Sequence, residues 1–290
     1  MRIPESELII NADGSAFHIH IRPDQLADNV VLVGDPGRVA MFEKLMEVEA
    51  SGSSREFAWV TGRYNGGRIT VLSTGIGTDN IDIVMTELDA LANIDFSTRE
   101  VKPQHKSLNI MRLGTCGAVQ PDIPIGAFVL SHMSVGCDGL MNWYKDRDSI
   151  CDLDMEAAFK EHVHWDKHLP DPYFVHASDK MIHLFEDCTV KGLTVSASGF
   201  YGPQGRVVRQ ELAMPAMVED FESFRYGDWR ITNFEMESSA LAGMSAKLGH
   251  NACTVCCVIA NRHLKQADTD YKPRVAELVR LVLERLSNQS

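Results

Sequence analysis

LNIMRLGTCGA, Leu108–Ala118, is the stretch that decides how this chain folds. Its apolar residues run on almost without a break instead of alternating with polar ones, the pattern of a strand buried on both faces. Arg112 interrupts that run. A buried arginine is unfavourable unless it is paired or faces a ligand. A strand that carries an arginine two residues before its terminal glycine therefore suggests a site at its carboxyl end.

Working outward, NVVLVG from Asn29, RITVLST from Arg68, GAFVLSHMSV from Gly126, GLTVSAS from Gly192 and NACTVCCVIAN from Asn251 repeat the same pattern. Helical periodicity fills several of the intervals. Ile81, Val84, Met85, Leu88 and Leu91 form one apolar stripe after Thr78, and Val275, Leu278, Val279, Val282 and Leu286 form another behind Pro273, a residue suited to a helix start. Alternating strands and helices predict an α/β fold with three α/β/α layers around a mixed, mainly parallel sheet. In such sheets ligands bind at the carboxyl ends of strands. Ser97–Ser107 reads as a surface loop and Cys151–Lys191 as a polar, partly helical insertion. No repeat or linker divides the chain, so residues 1–290 read as a single domain.

Composition narrows the function. Hydrophobic residues at 44% and charged residues at 23% are those of a globular protein. No apolar run reaches membrane-spanning length. The start, MRIPESELIINADGS, lacks the features of a secretory signal, which makes a cytoplasmic location the expectation. A net charge of −12 argues against nucleic acid as a partner, because phosphate backbones are held by clustered Lys and Arg. The seven cysteines have no disulfide-type spacing. CTVCC lacks a second ligand pair at zinc-finger distance and reads as buried thiols in a strand, and EHVHWDKH reads as a solvated helix face, so no metal site is expected.

Four further stretches carry chemistry. GDPGR, Gly34–Arg38, joins a strand to a helix: Gly34 allows close backbone approach, Asp35 can cap the helix, Pro36 suits its first turn and Arg38 adds positive charge at an anion-binding helix start. A tight turn with a surface arginine is the plainer reading. STGIGTDN, Ser73–Asn80, is a weak glycine turn by itself. NFEMESSALAGMSAKLG from Asn233 reads as a helix with Glu235 and Glu237 at its start, either as caps or as carboxylates that accept hydrogen bonds from vicinal hydroxyls. FYGPQGR, Phe200–Arg206, sets Gln204 and Arg206 two residues apart. With Arg112 and Thr115 on the strand of the opening stretch, Arg38 could converge on one phosphate.

Taken in this order along the chain, GDPGR, STGIG, RLGTCGA, FYGPQGR and NFEMESSAL resemble the nucleoside phosphorylases of the type that includes the uridine-specific enzymes. The resemblance runs from about Phe17 to Arg262. It implies a single-domain α/β fold, homo-oligomers built from dimers (dimer or hexamer) with sites shared between subunits, and phosphate-dependent cleavage of an N-glycosidic bond. Gly34, Arg38, Arg112 and Thr115 then correspond to a phosphate clamp, completed by Arg55 from a neighbouring subunit. His18 corresponds to a neighbour's histidine at the ribose 5′-hydroxyl. Glu237 and Met236, supported by Glu235, correspond to the ribose-binding group, and Phe200 to the aromatic against the base. Taken alone, Arg55 and His18 read as ordinary structural residues.

Uracil presents O2, N3–H and O4, and an amide beside a guanidinium matches that edge. Gln204 and Arg206 are read as that pair, with Arg262 in support. Purine-specific relatives place an aspartate after the late strand, where this chain has VIANRH. Uridine and phosphate are thus the expected substrates, giving uracil and ribose 1-phosphate, with Arg112, Gln204, Arg206 and Glu237 carrying the chemistry. No metal or organic cofactor is expected. A potassium site of the kind built in some relatives by a glutamate and a serine is left open, because Glu56 matches but Asn80 replaces the serine. A purine phosphorylase, a nucleosidase and a non-catalytic nucleoside-binding protein are the alternatives.

Overall fold

The computed structural model describes residues 2–288. In chain order the elements are β1 (Asn29–Val33), α1 (Pro36–Glu43), β2 (Glu47–Ser54), β3 (Phe57–Tyr64), β4 (Gly67–Ser73), α2 (Thr78–Asn93), β5 (Ile94–Asp95), β6 (Glu100–Val101) and β7 (Asn109–Ala118). Then follow β8 (Phe128–Gly136), α3 (Leu153–His162), β9 (Tyr173–His176), α4 (Asp179–Ile182), β10 (Val190–Ser196), α5 (Met217–Ser223), β11 (Arg225–Tyr226) and β12 (Trp229–Glu235). The chain closes with α6 (Ser238–Leu248), β13 (Asn251–Asn261), β14 (Gln266–Ala267) and α7 (Lys272–Ser287).

Two parallel blocks make up the sheet. One runs β4-β1-β7-β13 and the other β8-β10-β12. They meet antiparallel at β8–β13 and again at β12–β7, so β7, β13, β8, β10 and β12 close into a ring. Antiparallel β2 and β3 extend the outer edge beyond β4. The expected mixed α/β sheet is therefore present, and the parallel pairing is concentrated in its two central blocks.

Helices cover both faces. On one, Ile81, Val84, Met85 and Leu88 of α2 pack with Ala240, Leu241 and Met244 of α6. On the other, Val39 and Phe42 of α1 pack with the stripe of α7 that starts at Val275. Local rules set these helices: the Asp35 carboxylate accepts the Gly37 N–H at 2.8 Å and Pro36 opens α1, while Pro273 lies in the first turn of α7. Gly136 is demanded by close packing, because a Cβ there would sit 2.1 Å from the Tyr173 ring on β9.

Three local expectations are corrected. Asn233–Glu235 is the end of β12 and not the start of a helix; α6 begins only at Ser238. The Ser97–Ser107 segment includes β6, which pairs with β5 across a tight turn held by the Asp95 carboxylate. Cys151–Lys191 contributes α3, β9 and α4 to the fold, and Phe159, Tyr173 and Phe174 are fully buried.

Candidate active site

β12 runs antiparallel to β7, with Phe234 opposite Gly117, so the chain beyond Phe234 turns back alongside Cys116, Thr115 and Arg112. That return brings the β12–α6 turn to the buried guanidinium. Arg112 Nη2 pairs with Glu237 and Nη1 lies 3.3 Å from Glu235 Oε2. Gly114 leaves room for the arginine to curl, since a Cβ there would be 2.4 Å from Arg112 Nη1.

The two carboxylates have different jobs. Glu235 accepts the backbone N–H groups of Glu237 and Ser238 and the hydroxyls of Ser196 and Ser238, so it caps the amino end of α6. Glu237 accepts the Gly77 N–H at 2.7 Å and otherwise faces Arg112, which ties the STGIG turn to the site. Burial pushes the Glu237 carboxyl up, Arg112 opposes this, and Glu235 adds to the rise, since one guanidinium serves two buried acids. Arg112 is held firmly protonated: burial works against its charge, but Glu237 and Glu235 outweigh it. Among the described residues its Nε–H is buried without a partner, a donor free to meet an incoming oxygen.

A cavity of about 890 Å³ opens above this cluster. Every nominated residue except Arg55 and His18 lines it: Gly34, Arg38, Thr115 and Arg112 with its paired Glu235 and Glu237 at one end, Phe200, Gln204, Arg206 and Arg262 at the other, and Met236. Arg38 reaches Thr115 Oγ1 at 3.5 Å and makes no ion pair among the described residues. Burial, then the nearby Arg112, pulls its pKa down. An anion between Arg38 and Arg112 would relieve both effects.

The other end is built from a short turn. Gly205 takes φ +69, reversing the chain so that Arg206 folds back over Phe200, its guanidinium carbon 3.8 Å from the ring centroid. Arg206 Nη1 donates to Gln204 Oε1 and to Phe200 O, both at 2.6 Å. The Gln204 carbonyl is thus oriented by Arg206, which fixes where its amide N–H groups point. Arg262 donates to the carbonyls of Gln204 and Gly205, supporting the turn from below. Asn261 is committed elsewhere, to the carbonyls of Gln120 and Ile123.

The sequence motifs missed the wall made by Lys265, Gln266, Ala267, Asp268 and Tyr271, which comes from the β13–β14 hairpin and the approach to α7. No glycine signature or charge pattern marks it. Asp268 brings a carboxylate to this wall. His18 and Arg55 lie outside the cavity on the surface around Phe17, with Arg55 6.0 Å from the Phe17 ring centroid.

Two groups of residues outside the cavity bear on cation binding. Around Gly75, the side chains of Glu56 and Asn80 both come close to the turn, and Asn80 Nδ2 donates to Ile76 O at 3.3 Å. Asp89, His105 and His250 form a group away from the cavity. There His250 Nδ1 accepts the Leu108 N–H, so its Nε2 carries the hydrogen and is a poor ligand.

The sequence model of the phosphorylase superfamily matches residues 28–288. A uridine phosphorylase of Thermococcus kodakarensis is 30% identical over 86% of this chain and 79% of its own length. A DeoD-type purine nucleoside phosphorylase of Caldanaerobacter subterraneus is 29% identical over 84% and 87%. Among solved structures, a Trypanosoma brucei nucleoside phosphorylase described as showing uridine phosphorylase activity superposes with a TM-score of 0.88 at 29% identity, covering 97% of this chain and 99% of that one. The match over nearly the whole chain, on a fold and a cavity already described, places this protein in the phosphorylase superfamily.

Proposed function

We propose that the chain is a uridine phosphorylase that converts uridine and phosphate to uracil and ribose 1-phosphate through a single catalytic domain spanning residues 1–290. The observation that carries this reading is one cavity lined both by the Gln204–Arg206 pair and by Arg38 and Arg112, the latter paired with Glu237. One cavity thus offers groups suited to base, ribose and phosphate.

In this reading Arg38, Arg112, Thr115 and the Gly34 backbone hold phosphate, and Glu237 with Met236 holds the ribose. A phosphate oxygen forms a bond to C1′ while the C1′–N1 bond breaks, its electron pair passing to the base. Negative charge grows on uracil O2 and O4, so Arg206 and the Gln204 amide bind the transition state more tightly than the substrate. The departing base then takes up a proton. No organic cofactor or metal enters these steps.

Because Arg55 and His18 lie outside their own chain's cavity, they are read as serving the site of a second copy, in a homo-oligomer built from dimers. Seven free cysteines accord with a cytoplasmic setting. Among the described residues no helix is long and apolar enough to cross a membrane.

Purified protein supplied with uridine, thymidine or inosine, with and without phosphate, tests the reading by chromatography of the products. Uracil and ribose 1-phosphate formed only with phosphate are expected. Cleavage of inosine alone would assign the purine reaction that a 29% identical relative is named for. Uracil release without phosphate would make the protein a nucleosidase, and no turnover would make it a nucleoside-binding protein.

A further inference from the structure

Glu87 sits on the buried side of α2 beside Leu88 and Leu91, where a carboxylate is unfavourable unless its oxygens are satisfied. Among the described residues it makes no ion pair with a lysine or arginine. Its oxygens accept the backbone N–H of His18 at 3.0 Å, the backbone N–H of Ile19 at 2.9 Å and His18 Nδ1 at 2.6 Å. A buried acid in the middle of a helix is thus devoted to one remote pair of residues, His18 and Ile19, of which His18 lies sixty-nine positions earlier in sequence.

The contact to the ring has a chemical consequence. An ionised carboxylate only accepts, so His18 Nδ1 carries a hydrogen and Nε2 is the nitrogen left to meet a ligand. The ring is 28% exposed and Nε2 has no partner among the described residues. Phe17 packs edge-on against it at 4.8 Å, and Arg55 lies over the same Phe17 ring. The two candidates that the chain's own cavity lacks therefore project from one surface patch, whose histidine is locked in both backbone and ring orientation.

We propose that Glu87 is a positioning residue: it fixes the tautomer and direction of His18 so that Nε2 engages the 5′-hydroxyl of a nucleoside bound in the neighbouring subunit. This rests on the reading of His18 given above. Glu87 touches no substrate and acts through His18 alone.

The test compares uridine with 5′-deoxyuridine, which lacks the group that His18 is to meet. In the wild type kcat/KM favours uridine. In Glu87→Gln the preference should fall about tenfold, the scale of one charge-assisted hydrogen bond, with 5′-deoxyuridine turned over as before. His18→Ala should abolish the preference, and adding Glu87→Gln to it should change nothing further. An equal loss on both substrates in Glu87→Gln, with the preference intact there but abolished in His18→Ala, would make Glu87 merely structural and overturn the proposal while leaving the His18 reading standing. Unaltered preference in His18→Ala would overturn the His18 reading and the proposal with it. Should Glu87→Gln fail to fold, nitrogen-15 spectra of histidine-labelled wild type decide: hydrogen on Nδ1 supports the proposal, and a bare Nδ1 with hydrogen on Nε2 overturns it.

Discussion

The two ends of the cavity are made from different materials. The Arg112 end is cut into the sheet: its guanidinium is 4% exposed, two carboxylates flank it, and strands separated by more than a hundred residues in sequence hold those groups together. The Gln204 end is a seven-residue turn, Phe200–Arg206, with Phe200 51% exposed and a few local hydrogen bonds closing it. Where charge must be buried, the fold surrounds it with partners before the ligand arrives. At the end proposed to recognise a flat base, a short turn propped by Arg262 takes the place of such a cluster. Stability and catalysis are therefore coupled at one end and separable at the other.

Arg112→Ala should break the comparison most severely if it is wrong. Removing the cation leaves Glu235 and Glu237 buried without it, a change that costs about 3–5 kcal/mol. Thermal unfolding should shift down by roughly 10 °C, and kcat/KM should fall by about three powers of ten or more, the scale of losing a preorganised electrostatic contact. A variant as stable as the wild type would show that the cluster is not the structural keystone described here.

Arg206→Ala should have a smaller and cleaner effect. Losing one charge-assisted contact to the departing base slows turnover by about ten- to a hundredfold, while the melting temperature should stay within a degree or two of the wild type. A large loss of stability would mean that the turn is as integral to the fold as Arg112.

The smallest effect concerns pH. On the proposed reading Glu237 must be ionised to pair with Arg112 and accept ribose hydroxyls, and its carboxyl is raised above the ordinary 4.5 by burial and by Glu235. Activity should thus decline as pH falls, along a limb whose apparent pKa lies above 4.5 and belongs to the cluster as a whole. The stability contribution has the opposite sign: a folded-state pKa above the unfolded value favours the protonated fold, so this contribution is full at low pH and lost as pH rises through the raised value. Glu237→Gln should remove both dependences, read from rate profiles and melting curves. A limb that survives the substitution would belong to another group.

Much of this was legible in the sequence, and the gaps have physical causes. The six apolar runs are central strands because burial on both faces leaves no room for polar residues. β2, EVEASGSS, escaped because an edge strand carries polar side chains on exposed positions. β12 was absorbed into the following helix because Met236, Ala240, Met244 and Leu248 set a helical period that runs up to its end, and only pairing with β7 and β10 shows that Asn233–Glu235 is extended. In the site, residues on motifs were found, whereas the β13–β14 wall and Glu87 were not. Their roles depend on contacts across the fold, which no local spacing records.

The return of β12 along β7 also governs how the chain can acquire its structure. β7 pairs with β1 on one side and with β13 and β12 on the other, so its neighbours span Asn29 to Asn261. A chain emerging from the ribosome exposes β7 long before β12 and β13 exist. Such long-range pairings slow folding because loop closure precedes any gain from contact. The ring that shapes the site is thus completed only once most of the protein has been synthesised, and during that interval the apolar face of β7 and its lone arginine must be kept from other chains.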